Sequence, residues 1–166
     1  MQFSPLFTLV ALVAAFGVSQ CRVLREKRQC QTNIGVHCGT TSDATFSDCQ
    51  ELVKPDTWNS VFNPGNSVCS YSPDIFDTEF AYNVGCHGNC CVYVARVDEN
   101  DLPGLRDQIR NEAAGLFGCA DSSVNKINGM QQFNDKFNHG TCISDGNGCG
   151  DCFDDSDFVS PLEHGC

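Results

Sequence analysis

The clearest strand pattern in the chain covers residues 90–97, where side chains alternate between two faces and β-branched and aromatic residues are frequent. One face carries Cys91, Tyr93 and Ala95, and the other carries Val92, Val94 and Arg96. Residues 66–71 and 81–86 are two further strand candidates. The short link His87-Gly88-Asn89 predicts that 81–86 and 90–97 pair as a hairpin.

A helical period follows this hairpin, because apolar residues then recur at spacings of three and four. The apolar stripe consists of Leu102, Leu105, Ile109, Ala113 and Leu116, and the opposite face carries Arg106, Asp107, Arg110 and Glu112. Asn100 or Asp101 can cap the helix, Pro103 fits its first turn and Gly118 ends it. We therefore predict an amphipathic helix over residues 102–116.

A shorter helix is predicted near residue 50. Ser47 can accept a hydrogen bond from the backbone at its start, and Gln50 stands at the reciprocal position of a capping box. The helix runs through Leu52, and Pro55 ends it.

Residues 124–137 fit either a helix or a strand, because Met130, Phe133 and Phe137 suit both periods. We favour a strand near 129–133. The order of these elements predicts an α+β fold, a small disulfide-rich domain in which helices lie on one face of an antiparallel sheet.

An unbroken run of apolar and small residues from Leu6 to Val18 precedes all of these elements. It predicts a secretory signal peptide over residues 1–19, and the alternatives are a buried core helix or a membrane anchor. The run is shorter than the roughly 18 to 20 residues that span a bilayer, and no later stretch reaches that length. We therefore expect an exported, extracellular protein that does not span the membrane.

A dibasic pair, Lys27-Arg28, follows the predicted leader and is typical of processing sites in the secretory pathway. We expect cleavage after Arg28, which makes residues 20–28 a propeptide; a solvated basic turn is the alternative. This cleavage removes Cys21 and leaves twelve of the 13 cysteines, an even number that can pair completely.

The remaining cysteines are dense enough to predict a disulfide framework in place of metal sites or core thiols. They are Cys30, Cys38, Cys49, Cys69, Cys86, Cys90, Cys91, Cys119, Cys142, Cys149, Cys152 and Cys166. Their spacing leaves the connectivity open. We expect one domain over residues 29–142 and a loosely attached, acidic, cysteine-containing extension over 143–166.

The chain is acidic, with 21 Asp and Glu against 10 Lys and Arg and a formal net charge of −11. Cleavage after Arg28 removes four of these cations and one acid, so the charge falls to −14. Nucleic-acid binding needs clustered Lys and Arg, and we expect none. Such a surface favours cationic partners, or keeps an exported monomer soluble.

Several short motifs resemble those of the virally encoded killer toxin of the maize smut fungus and the secreted fungal effectors that share its fold. They lie between residues 33 and 142: Ile34-Gly35-Val36-His37-Cys38-Gly39, Asp48-Cys49-Gln50, Val84-Gly85-Cys86-His87-Gly88, Gly118-Cys119-Ala120-Asp121-Ser122 and Gly129-Met130-Gln131-Gln132-Phe133. The resemblance implies a split βαβ-like sandwich. It also implies disulfides Cys49–Cys119 and Cys86–Cys142.

The same resemblance implies a secreted effector or killer-toxin-like protein. Its partner would be an extracellular or cell-surface protein of a host or a competing cell, and the place of action would be the extracellular space, the apoplast in a plant host. Two departures from the family are visible. Leu116 stands where the toxin has a cysteine, so Cys38 needs another partner. Residues 81–86 lack the cations to which the toxin's block of calcium channels is attributed, so we do not expect block by that contact.

Three motifs near the C-terminus could hold a metal, and we expect none to do so. Residues 145–156 match a calcium loop at positions one, three and six, but Cys149 occupies position five and Ser156 stands where a bidentate Glu is required. We expect an acidic loop held by disulfides there. Cys149-x-x-Cys152 is expected to be a structural disulfide, and His139, before Cys142, a surface turn residue.

Nothing in the sequence carries the local signature of a catalytic nucleophile, a zinc protease or a phosphate-binding loop. The four histidines stand beside glycine or cysteine in predicted turns: His37, His87, His139 and His164. We therefore expect no catalytic residue, metal or cofactor and no enzyme, with a small secreted hydrolase as the less favoured alternative.

A polysaccharide-binding module, for chitin or glucan, is the main alternative function. Cys86-x-x-x-Cys90-Cys91 resembles small chitin-binding domains, which also need a row of exposed aromatic rings. Only Tyr93 follows, in a strand expected to be half buried, and Trp58 is predicted to lie in the core beside Val61 and Phe62.

Overall fold

The structure is a computed structural model, which describes residues 33–39, 42–65, 67–71, 79–133, 135, 139–147 and 152–153. The predicted signal peptide 1–19, the propeptide 20–28 with Lys27 and Arg28, and most of the extension 143–166 lie outside the described residues. Cys30, Cys149 and Cys166 lie outside them as well. Within the described part, no helix is long and apolar enough to cross a membrane.

The described chain forms eight strands and three α-helices. In chain order they are β1 (Asn33–Cys38), β2 (Ala44–Thr45), α1 (Phe46–Leu52), α2 (Pro55–Val61), β3 (Ser67–Tyr71), β4 (Glu79–His87), β5 (Cys90–Ala95), α3 (Arg106–Gly115), β6 (Lys126–Ile127), β7 (Gly129–Phe133) and β8 (Gly140–Ser144). Short 3₁₀ turns flank α3 at Leu102–Leu105 and Leu116–Cys119.

Six of the strands form one antiparallel sheet in the order β1-β7-β8-β5-β4-β3, and β2 and β6 form a small second sheet. The predicted hairpin is confirmed, because β4 pairs with β5 and places Cys86 opposite Cys91 and His87 opposite Cys90. The strands predicted at 66–71 and 129–133 are confirmed as β3 and β7. The predicted α+β class is therefore the observed one.

All three helices pack against one face of this sheet. Their buried side chains, among them Leu52, Trp58 and Ile109, form a single apolar cluster with Val92 and Val94 of β5. Trp58 is fully buried, as predicted, and lies against Phe62 with ring centroids 5.3 Å apart. Every residue of β5 is buried, because the strand lies inside the sheet and both of its faces are covered.

The opposite face of the sheet is covered in part by the C-terminal extension. Cys152 and Phe153 are fully buried and pack with Tyr93, Ala95 and Met130 in a second apolar cluster. The prediction of a loosely attached extension is therefore wrong for these two residues. Phe153 buries apolar area against this face, and Cys152 is covalently tied to the sheet.

Disulfides link the sheet to the segments on both of its faces. The four described bonds are Cys38–Cys119, Cys49–Cys90, Cys86–Cys91 and Cys142–Cys152. All nine cysteines of the described residues are disulfide-bonded, including Cys69. The expectation of a disulfide framework is thus confirmed for these residues.

The pairings that the killer-toxin resemblance implies are wrong, and so is the predicted Cys149–Cys152 bond. Cys119 bonds to Cys38, because the turn after α3 lies against both β1 and β7. Cys86 bonds to its cross-strand neighbour in the hairpin. Cys142 bonds to Cys152, ten residues further along the chain.

The helix boundaries differ from the predicted ones in three places. Thr45, not Ser47, precedes α1, and the backbone N–H of Ser47 donates to Asn125 Oδ1. Pro55 begins α2 after two residues, since proline fits the first position of a helix. The helix at 102–116 opens as a 3₁₀ turn, and its α-helical part ends at Gly115.

The turn of the hairpin docks on the start of α1. Gly88 adopts a φ of +57°, and a Cβ there would lie 2.2 Å from Asp48 Oδ2. That oxygen accepts the backbone N–H of Asn89 at 3.1 Å, and Asn89 Oδ1 accepts the N–H of Thr45 at 2.7 Å. Glycine is thus required at position 88 both by the backbone conformation and by the close approach.

We expect Gly88→Ala to lower the free energy of unfolding by about 2 kcal/mol, through left-handed strain and displacement of Asp48. Urea unfolding with the disulfides intact measures it. Gly118→Ala is the matched control, because a Cβ there meets nothing within 4 Å, and we expect a change below about 0.5 kcal/mol. Equal stability of the two variants would contradict this account of the turn.

Candidate functional site

A buried histidine lies between two carboxylates at the junction of α3 and the sheet. His139 is 0% exposed, its Nε2 lies 2.9 Å from Glu112 Oε2, and its Nδ1 lies 3.1 Å from Asp135 Oδ1. The prediction that His139 is a surface turn residue is therefore wrong. The residue directly precedes β8, an inner strand of the sheet, so its ring is carried beneath α3.

Glu112 is the centre of this cluster. Its Oε2 accepts a hydrogen bond from the hydroxyl of Thr141 at 2.7 Å and another from Nε2 of His139. Its Oε1 accepts a hydrogen bond from Nε2 of Gln108 at 2.8 Å. Gln108 lies one helical turn before Glu112, and Thr141 is on the facing strand β8. A buried carboxylate needs such partners, since an unpaired charge in the interior is costly.

The sequence pattern placed Glu112 on the solvent face of the helix, and this is wrong, because its exposed fraction is 9%. Glu112 lies three residues after Ile109 and four before Leu116, so it borders the apolar stripe. Where α3 crosses β8, that border turns towards the sheet. A carboxylate at the border of an apolar stripe was the feature of the sequence that could have indicated a buried Glu112 with a polar partner.

The two carboxylates set the charge of His139. Burial alone lowers the pKa of the imidazole, but the hydrogen bond and charge of Glu112, followed by those of Asp135, outweigh it and raise the pKa above its ordinary value. A carboxylate only accepts hydrogen bonds, so a ring that bonds to one at each nitrogen donates twice. The geometry therefore favours the protonated imidazolium.

Phe133 covers the histidine from the side of β7. The two rings stack with their centroids 5.0 Å apart and an angle of 18° between their planes. The backbone N–H of Phe133 also donates to the carbonyl of His139 at 2.8 Å. The aromatic ring is thus held in place by the buried cluster.

A groove of about 530 Å³ opens beside this cluster, between α3 and β7. The helix contributes Asp107, Gln108, Asn111, Glu112 and Gly115, and the strand contributes Gln131 and Phe133. Glu112 and Phe133 therefore belong both to the groove and to the buried cluster. Sequence reasoning did not identify the groove, because its two walls are far apart in the chain.

Within this cluster no hydroxyl is hydrogen-bonded to the imidazole, as it would be in a nucleophile–histidine pair. The hydroxyl of Thr141 donates to Glu112 and not to His139, whose two nitrogens are directed at carboxylates. An activated nucleophile needs its hydroxyl on the base. The remaining described histidines, His37 on β1 and His87 at the end of β4, lie on other elements.

Residues of the motifs that resemble metal or chitin sites make other local contacts in the described part of the chain. In the described part of the calcium-like loop, Asp145 Oδ1 accepts the N–H of Asn147. The described residues contain no group of three or more His, Cys, Asp or Glu able to hold a metal ion. Tyr93 is fully buried, not half buried, and its hydroxyl donates to the carbonyl of Asp145, so no aromatic row follows Cys91.

In comparisons with known proteins, no family model, no curated protein and no solved structure matches the chain.

Replacing the buried histidine tests the charge cluster through pH. Because the pKa of His139 is raised in the fold, its contribution is fully present below the unfolded value of about 6.5 and is lost as pH rises through the folded pKa. We expect the wild-type free energy of unfolding to fall as pH rises from about 6.5 through the folded pKa of His139. His139→Gln should be less stable by on the order of 3 kcal/mol on the acidic side and should lack most of this fall.

Urea unfolding between about pH 5.5 and pH 9 measures both effects. His87→Gln is the matched control, because His87 is only half-buried at the end of the hairpin. A stability profile of His139→Gln that runs parallel to the wild-type profile would rule out a charged His139.

Proposed function

We propose that the chain is an exported, disulfide-stabilised protein of the fungal killer-toxin-like effector kind, which acts on a host or a competing cell outside the producing cell. It acts by binding and without catalysis. The observation that carries the proposal is the set of four described disulfides, which reach both faces of the sheet.

Disulfides support export because they form and persist in oxidising compartments and are rare in the cytosol. Every cysteine in the described part of the chain is oxidised, so the fold retains no thiol there that a reducing compartment would maintain. The apolar run Leu6–Val18 supplies the leader that such a route needs.

The disulfides support export, whereas the effector kind is supported by the fold class and not by the disulfide connectivity. An antiparallel sheet with helices on one face agrees with the architecture that the resemblance implies. The two implied pairings are absent, so the proposal rests on export and fold class alone. Block of a calcium channel through β4 is not part of it, because residues 81–86 carry no cation.

Binding is favoured over catalysis by the way the ionisable groups are used. The only fully buried imidazole in the described residues is held by two carboxylates, and one of these carboxylates takes two further hydrogen bonds. Both nitrogens of this ring are bonded to carboxylates, so neither one faces a substrate as a base.

Loss of the gene tests the proposed role. We expect deletion to reduce infection or competition, and expression of the full chain to restore it. A version that lacks residues 1–19 is the control, because without a leader it should stay inside the cell and fail to restore the effect. Unchanged infection and competition after deletion, or full restoration by the leaderless chain, would contradict the proposal.

The mass of the secreted form tests the predicted processing. We expect a mature N-terminus at Gln29 and no free thiol, since cleavage after Arg28 removes Cys21 and leaves an even number of cysteines. Intact-mass measurement with and without alkylation under non-reducing conditions gives both answers. A form that begins at Gln20 and retains Cys21 would show that there is no propeptide.

A further inference from the structure

We infer that the groove between α3 and β7 binds a short stretch of a neutral polysaccharide chain, of the β-linked glucose or N-acetylglucosamine type found in cell walls. The inference rests on the proposed function, because it identifies the surface by which the exported protein would attach to another cell. Neither the residues of the groove nor their chemistry were apparent in the sequence motifs for chitin binding.

The size and form of the groove suit an oligosaccharide. A volume of about 530 Å³ lies within the range of roughly 300 to 1,000 Å³ that ligand sites occupy. Its two walls, α3 and β7, leave it open to solvent, so a segment of a sugar chain could enter it from the side. A fully enclosed cavity would admit only small molecules.

The charges along the groove are already paired within the protein, which favours a neutral ligand. Glu112 is bonded to His139, and Asp107 lies 3.6 Å from a guanidinium nitrogen of Arg110. A cationic ligand would have to compete with these partners. An anionic polymer would meet a chain with a formal net charge of −11.

The uncharged side chains of the groove match the surface of a hexose ring. On the helix wall, Gln108 Nε2 already donates to Glu112 and Asn111 Oδ1 already accepts from Arg110. This leaves Gln108 Oε1 as an acceptor and Asn111 Nδ2 as a donor for the hydroxyl groups on the edge of a sugar. Phe133 adds a flat apolar ring, which can cover the C–H face of the sugar. The helix wall thus supplies one acceptor and one donor, and the strand wall supplies an aromatic ring.

The site is also rigid before a ligand arrives. The ring of Phe133 is stacked on the buried His139, and Glu112 is held by three hydrogen bonds. Binding of a ligand therefore loses little free energy to the ordering of these side chains. Gly115 at the end of α3 leaves the helix side of the groove free of a side chain, since a Cβ there would meet nothing within 4 Å.

A blocking substitution provides the test. Gly115→Leu places a side chain at the groove and favours the helix, so the variant should fold. Gly104→Leu is the matched control, because Gly104 is exposed, lies in the 3₁₀ turn before α3 and has equally open space around its Cβ. Thermal unfolding confirms that both variants are folded.

Binding is measured by amide NMR titration of the disulfide-bonded mature chain with chitotetraose and, separately, with laminaritetraose. We expect at least one of them to bind with a dissociation constant on the order of 1 mM or tighter, with shifts in residues 107–115 and 131–133. Gly115→Leu should bind at least about tenfold more weakly, and Gly104→Leu as well as wild type. Binding of one oligosaccharide alone supports the inference and identifies the wall polymer.

A second pair of variants tests the hydrogen bonds. Asn111→Ala should weaken binding by roughly threefold to tenfold, because it removes one amide from the helix wall. Asn59→Ala is its control, as Asn59 is an exposed asparagine on α2, away from the groove.

Two results overturn the inference: no shift of the groove amides with either oligosaccharide at about 10 mM, or unchanged binding by Gly115→Leu. Failure here is distinct from failure of the proposed function. A chain that binds neither oligosaccharide while gene deletion still reduces infection or competition contradicts the groove assignment alone. A chain that binds one through the groove while deletion has no effect contradicts the proposed role alone.

Discussion

Two adjacent cysteines on β5 direct disulfides to opposite faces of the sheet. Side chains that follow one another along a strand point to opposite faces of a sheet. Cys90 therefore bonds to Cys49 of α1 on the helical face, and Cys91 bonds to Cys86 on the other. The Cys38–Cys119 and Cys142–Cys152 bonds then attach the first strand and the C-terminal segment. Each such bond typically stabilises a fold by about 2 to 4 kcal/mol.

This covalent framework allows the interior to contain groups that a small apolar core would not tolerate. His139, Glu112 and Thr141 are buried together, next to side chains such as Ile109 and Ala113 of the same helix. A buried ion pair is weak evidence of stability, because its attraction is largely offset by loss of solvation. Its effect here is positional, since the cluster fixes Glu112 and Phe133 at the wall of the groove. The proposed glycan site and the charge cluster are thus parts of one structure.

The sequence predicted those elements whose signals are local. Alternation along 90–97, the turn at Gly88 and the apolar stripe from Leu102 to Leu116 each depend on spacing over a few residues, and each corresponds to an observed element. β8 was not predicted, because all five of its residues are buried and Gly-Thr-Cys-Ile-Ser shows no alternation. β1 at the edge of the sheet was missed although Ile34, Val36 and Cys38 alternate with polar or small residues. The helix α2 was missed because proline was treated only as a helix terminator.

The site could not be predicted because it depends on contacts that are distant in sequence. His139 and Glu112 are 27 residues apart, and nothing near His139 indicates that an inner strand begins at the next residue. Disulfide connectivity is of the same kind, since it follows from which edges meet in the folded sheet and not from the intervals between cysteines.

The connectivity of the adjacent cysteines is therefore the most direct test of this account. Non-reducing proteolysis, with mass spectrometry that fragments between Cys90 and Cys91, would assign the bonds. The structure requires Cys49–Cys90, Cys86–Cys91 and Cys38–Cys119. Bonds Cys49–Cys119 and Cys86–Cys142 would contradict it, and with it the arrangement of layers on which the site depends.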